Sequence, residues 1–173
     1  MSSTSLRAEA PRPAVQGFTR LPALGGGGLR QGPPPGSVPP EPSGPLRPSA
    51  ESQLPASPAG GAFSTATDLL RFFDALRAGH LVGTETLREL TRPQIEAMPG
   101  QHYGLGFGVV RWEGHVGFGH NGGAPGLNAD AMVFPADDVT LVVLANGDPP
   151  SASQQMASLR RGALNGTLCR APG

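Results

Sequence analysis

Proline does most to narrow what this chain can fold into, because it is so unevenly spread. Residues 1–58 hold 13 of the 20 prolines and eight of the 26 glycines. Proline lacks a backbone donor and fixes φ, so runs such as Gly25 to Gly28, Pro33 to Pro35 and Pro39-Pro40 deny the segment both helix hydrogen bonds and sheet ladders. Only 16 of these 58 residues are apolar, about 28% where globular chains have roughly 45–50%. A largely disordered segment is expected, part polyproline II and part flexible. Proline-rich stretches are also adaptor ligands, but a linker or surface loop explains this one with fewer assumptions. In residues 59–173, by contrast, 49 of 115 positions are apolar, about 43% and close to the globular norm. The folded part is expected there.

The patterns within 59–173 read as two helices, an antiparallel meander and a closing helix, an α+β arrangement. Thr65 with Asp68 three residues later forms a capping pattern, and Leu69, Phe72, Phe73 and Leu76 recur at helical spacing. Gly79 stands where that helix should stop. A second helix runs from Thr84 to about Arg92, before Pro93. Tyr103, Leu105, Phe107 and Val109 alternate with glycines, which predicts one strand with a nearly bare face, closely approached by another backbone. Glu113-Gly114 predicts a two-residue hairpin turn into a strand from His115 to His120, with a turn over Asn121 to Gly126. Strands over Leu127 to Phe134 and Val139 to Asn146 follow, then a helix that Ser151 would cap and that carries Met156, Leu159 and Leu164.

Composition excludes several function classes. Thirteen basic residues, all arginine, balance thirteen acidic ones, so no net field favours nucleic acid or an anionic membrane surface. The lone cysteine, Cys169, forbids an internal disulfide and a Cys-rich metal site. The longest strongly apolar run, Thr140 to Ala145, is too short to span a bilayer, and Met1 to Glu9 lacks the apolar stretch of a signal peptide. A soluble, cytoplasmic chain without a cofactor is the expectation for the sequence as it stands.

Four pieces, in order, carry a family resemblance. Ser57-Pro-Ala-Gly-Gly-Ala-Phe-Ser-Thr-Ala-Thr-Asp-Leu-Leu-Arg-Phe resembles the segment that opens a helix in serine beta-lactamase-related hydrolases, a family that includes class C beta-lactamases, DD-peptidases and esterases. Tyr103-Gly-Leu-Gly-Phe-Gly-Val resembles the strand leading into that family's third motif. Gly119-His-Asn-Gly-Gly-Ala-Pro-Gly resembles the motif itself, in the His-x-Gly form that replaces Lys-Thr-Gly in many esterase-like members. The strand ending Leu144-Ala-Asn fits the family's last strand, and beyond these four, Gly17-Phe-Thr-Arg resembles the segment after the family's second motif. The likeness spans roughly residues 57 to 160 and implies the C-terminal part of a beta-lactamase/transpeptidase-like fold.

The resemblance also implies a chemistry. In the family a serine of Ser-x-x-Lys attacks an ester, amide or lactam carbonyl, the lysine and a tyrosine of Tyr-x-Asn move protons, and an oxyanion hole holds the developing charge. This chain has no lysine, and its one tyrosine, Tyr103, precedes Gly-Leu-Gly. Neither motif can be present. By motif position, His120 would help polarise the nucleophile's surroundings or orient substrate, and Asn121 would offer its amide to substrate. Gly122 would leave room for the acyl group, and the N–H of Gly123 would be one of two oxyanion donors. On spacing alone the same four residues are a glycine-rich turn between strands.

Other candidates carry less. His80, His102 and His115 are scattered, and Asp130, Asp137 and Asp138 surround a strand and turn where aspartate is ordinary. Ser64 fits the start of a helix, Asn165-Gly-Thr is a sequon by chance, and Trp112 covers a sheet face. Two readings of function follow. One is the C-terminal half of a serine hydrolase, inactive alone, whose small-molecule ester, amide or lactam substrate would need the other half. The other is a non-catalytic module that binds a peptide or partner on the same scaffold. Under the first, the last strand would be an open apolar edge prone to self-association.

Overall fold

Thr65 begins the first helix as its spacing suggests: its side-chain oxygen accepts the Asp68 N–H at 3.1 Å. In the computed structural model, which describes residues 4, 15–21, 44–49 and 60–167, the elements run β1 (Phe18–Thr19), β2 (Arg47–Pro48), α1 (Ala66–Arg77), α2 (Thr84–Thr91), β3 (Ile95–Met98), β4 (Gln101–Tyr103), β5 (Gly108–Trp112), β6 (His115–Ala124), β7 (Leu127–Phe134), β8 (Val139–Ala145) and α3 (Ser151–Leu164). Cys169 and the proline and glycine runs at 25–28, 33–35 and 39–40 lie outside the described residues.

Strands β3 to β8 form one antiparallel sheet in sequence order, and β1 pairs with β2 in a separate two-stranded ladder. Alternation along β7 decides what covers the sheet. Val133 points to one face, where it meets Phe73 and Leu76 of α1 and Phe118 of β6. Met132 and Phe134 point to the other face and pack on Met156 of α3. The period of two thus gives each face of the sheet its own core and its own helix.

Three details differ from the sequence expectation. The stretch from Tyr103 to Val109 is a hairpin, since β4 and β5 pair through His102↔Val109 and Tyr103↔Gly108. Gly104 N–H donates to Phe107 O at 2.8 Å across the intervening turn. A close backbone approach does occur at Gly104, where a Cβ would stand 2.2 Å from Leu90 O. Asn121 to Gly123 are not a turn: β6 runs on to Ala124, and only Pro125 and Gly126 (φ +79°) bridge to β7. Bare positions, not a bend, are what Gly119 and Gly123 supply, since a Cβ on Gly119 would lie 2.0 Å from Ala131 O and one on Gly123 2.5 Å from Pro149 Cγ. Finally, Pro150 rather than Ser151 occupies the N-cap of α3, without a side-chain cap bond. The Glu113-Gly114 turn is as expected, with positive φ at both residues.

Two short stretches of the proline-rich region are paired and tied to the sheet. Phe18 N–H donates to Asn146 O at 2.9 Å, and the Ser49 hydroxyl donates to Pro125 O. Asp148 anchors the assembly. Its carboxylate accepts from the Thr19 hydroxyl (2.5 Å), the Arg20 N–H (2.7 Å) and the Gly126 N–H (2.8 Å). Burial pushes this carboxyl up, but the Thr19 hydroxyl and the amides of Arg20, Gly126 and Leu21 outweigh it and hold the pKa below the ordinary 3.8. A carboxylate held low in the fold stabilises it above the unfolded value, and that contribution is lost as pH falls through the lower folded value. Asp148→Asn should therefore flatten the acid loss of stability below pH 3.8. Urea midpoints measured across that range check this, and an unchanged acid slope would contradict it.

Candidate active-site strand

The C-terminal half of β6 carries the four residues that the family resemblance singles out. His120, Asn121, Gly122 and Gly123 are consecutive and exposed on it. β5 follows β6 only as far as the pair Gly108↔Gly119. From His120 onward β6 keeps its β7 partner, with Asn121↔Asp130, Gly122↔Ala129 and Gly123↔Asn128, while its other backbone edge has no strand beside it among the described residues.

His120 stands edge-on to the Tyr103 ring, with centroids 5.7 Å apart and planes at 89°. Its Nδ1 lies 2.5 Å from Asn121 O, a bond in which nitrogen must donate to the carbonyl. In the neutral ring this places the proton on Nδ1 and leaves Nε2 as the acceptor. Behind the strand lies Asp130, buried on β7 opposite Asn121. Burial raises its carboxyl above 3.8, opposed by a hydrogen bond from Ser153 and the charges of Arg160 and His120. Carboxyl protonation is thus easier here than in water.

The remaining candidates go elsewhere. His115 Nδ1 pairs with Asp137 at 2.8 Å and its ring stacks on Trp112, over which Arg160 sits at 5.0 Å. Asp138 accepts from Arg77, and the Ser64 hydroxyl shares a hydrogen bond with Thr4 at 2.8 Å. His80 lies past the end of α1 and His102 on β4. Among the described residues no group of three His, Cys, Asp or Glu could hold a metal, and no helix is long and apolar enough to cross a membrane. Sequence reasoning passed over Asn128, a polar residue in the apolar alternation of β7 that is only 7% exposed. That polar residue in an apolar strand was the available signal.

An antiparallel sheet covered by helices on both faces, with a His-Asn-Gly-Gly stretch on an interior strand that outruns its β5 neighbour, is the beta-lactamase/transpeptidase-like class of fold. The Beta-lactamase family model matches residues 4–165, and the chain belongs to that family. The match reaches well before the motifs at 57 to 160 and includes β1 and β2. Solved structures agree. A D-stereospecific amidohydrolase from Streptomyces sp. is 25% identical, with a TM-score of 0.68 over 96% of this chain and 45% of its own. The penicillin binding protein from Bacillus halodurans is 24% identical, with a TM-score of 0.59 over 68% and 37%. The D-amino acid amidase from Ochrobactrum anthropi SV3, complexed with L-phenylalanine amide, is 20% identical, with a TM-score of 0.59 over 85% and 40%. The chain spans less than half the length of each of these structures. No curated protein is similar enough to be matched to it.

Proposed function

We propose that this chain supplies one wall of a serine-hydrolase site and does not turn over substrate by itself. The observation that carries this reading is the exposed run His120-Asn121-Gly122-Gly123 on a strand edge with no neighbouring strand among the described residues, in a chain without lysine. When a serine oxygen bonds to a carbonyl carbon, the carbonyl oxygen takes the electron pair, and a backbone N–H aimed at that oxygen stabilises it. The Gly123 N–H has this role. His120, with Nε2 available, orients substrate or polarises the surroundings of the incoming serine, and the Asn121 amide binds substrate. Gly122 leaves space for the acyl group, since nothing lies within 4 Å of where its Cβ would be.

The serine, its lysine and the tyrosine come from the part of the fold that these residues do not encode. Collapse of the tetrahedral adduct expels the amine or alcohol, and water then releases the acid from the acyl-serine. Esters, amides and lactams are the substrate classes, and the amidohydrolase and amidase among the matched structures favour amides. A chromogenic cephalosporin and a p-nitrophenyl ester test the reading. The chain alone should leave both intact, and co-expression with a polypeptide bearing Ser-x-x-Lys and Tyr-x-Asn should restore hydrolysis in a heterodimer. Failure of every such pairing would overturn it.

A second consequence concerns β8. It pairs only with β7 in the six-stranded sheet, and Leu144 is 43% exposed on it. Open apolar strand edges recruit other chains, so the isolated chain should self-associate as its concentration rises. Sedimentation velocity across a concentration series checks this, and a monodisperse monomer throughout would count against the half-fold reading.

A further inference from the structure

The peptide joining Gly122 to Gly123 has glycine on both sides, the pairing that least resists a flip of the peptide plane. Its orientation decides where the Gly123 N–H points. Ala124 and Leu127 flank a two-residue turn and so form a hydrogen-bonded pair. Counting back by one pair makes Gly123↔Asn128 non-hydrogen-bonded, with the Gly123 N–H facing the edge that β5 does not reach. Counting back by two makes Gly122↔Ala129 hydrogen-bonded, with Gly122 O facing β7.

Asn128 adds a clamp to this arrangement. Its Nδ2 donates to Gly122 O at 2.8 Å, and its own Oδ1 accepts the Ala152 N–H, in the first turn of α3, at 2.7 Å. The side chain is therefore held at both ends, with the Ala152 bond buried and the Gly122 bond partly so. The Gly122–Gly123 bond is trans, since Pro149–Pro150 is the one cis bond among the described residues. In a planar trans peptide the C=O and N–H point in opposite directions. Holding Gly122 O toward β7 thus aims the Gly123 N–H outward. The clamp also needs glycine at 123, where a Cβ would stand 3.0 Å from Asn128 Nδ2 and 2.5 Å from Pro149 Cγ.

We propose that Asn128 is a positioning residue: by adding a side-chain donor to Gly122 O beside the ladder bond from the Ala129 N–H, it keeps the Gly123 N–H aimed at the open edge, ready for a carbonyl oxygen. Its functional meaning rests on the hydrolase reading, but the orientation itself does not. Asn128→Asp separates the two ends of the clamp. An aspartate still accepts the Ala152 N–H, yet it loses the donor and sets a negative charge against Gly122 O.

Residual dipolar couplings and 15N relaxation dispersion at Gly123 read the result without any turnover. In the unmodified chain the coupling should fit one outward N–H orientation, without dispersion. In Asn128→Asp that single orientation should be lost and dispersion should appear at Gly123, while the amides of Ala152, Phe118 and Val133 keep their couplings. An unchanged Gly123 coupling in the variant would overturn the proposal. Should the variant fail to fold, the unmodified chain decides: exchange between two orientations at Gly123 overturns the proposal, and one fixed orientation with a slowly exchanging Asn128 Nδ2 proton supports it. Failure of the hydrolase reading would show instead in the co-expression assay.

Discussion

Truncating Phe134 to alanine should lower the stability of the fold by about 3–5 kcal/mol. Phe134 is 0% exposed and ends β7 in the core that Met132 and Met156 share. Its ring atoms Cδ1 and Cε1 lie against Gly117, where a Cβ would come within 2.7 Å of Cε1, so the neighbouring strand is already as close as it can approach. That wall cannot close on the space the ring leaves, and a cavity that stays open costs more than one that collapses. The loss would remove a large part of the roughly 5–15 kcal/mol that typical domains possess. Urea denaturation at fixed protein concentration measures it. A change below about 1 kcal/mol would mean that α3 and the sheet do not share the core described.

The second large effect is catalytic. Removing the nucleophile from a serine hydrolase lowers turnover by about six orders of magnitude, and the remainder comes from oxyanion donors and binding alone. The purified chain should sit at that floor for esters, amides and lactams alike. Ser64 is no substitute. It stands just before α1, and its hydroxyl bonds to Thr4, whose hydroxyl in turn donates to Asp68 at 3.2 Å. Asp68 in turn forms an ion pair with Arg71. The histidine of the candidate strand donates through Nδ1 to the Asn121 carbonyl and stands edge-on to the Tyr103 ring. Nucleophilic catalysis needs a base within hydrogen-bond reach of the attacking oxygen, and Ser64 has Thr4 there instead. Turnover approaching that of an intact hydrolase, after rigorous removal of contaminating enzyme, would contradict this.

Much of the fold was legible because local signals and packing agree. Thr65 and Gly79 bound α1, and Phe73 and Leu76 on its apolar stripe are the residues that reach the core. Along β7 and β8 the residue types fit buried strands, and both strands are present nearly as read. Glycine broke the correspondence. It serves in turns, in hairpins and at bare strand positions, so composition alone did not separate the β4–β5 turn at Gly106 from the strand positions Gly122 and Gly123. What distinguishes Gly106 is its positive φ of +91°, while Gly119 and Gly123 need glycine because Ala131 O and Pro149 come close, and each of those arrives from elsewhere in the chain. β3 gave no alternation to read because all four of its residues are exposed. Averaging over 58 proline-rich residues hid Thr19 and Ser49, which are buried through bonds to residues more than 70 positions away. The candidate strand was visible as the run 120–123. Asn128 showed only as a polar residue in an apolar strand, since its partners Gly122 O and the Ala152 N–H are joined to it only by the fold.

Intact-mass spectrometry after incubation with a fluorophosphonate tests the central claim most directly, because that reagent bonds only to a serine made nucleophilic by its surroundings. The account predicts one unshifted mass for the chain alone, with an adduct arising only on a co-expressed polypeptide that carries Ser-x-x-Lys. A stoichiometric adduct on any serine of these 173 residues would contradict it.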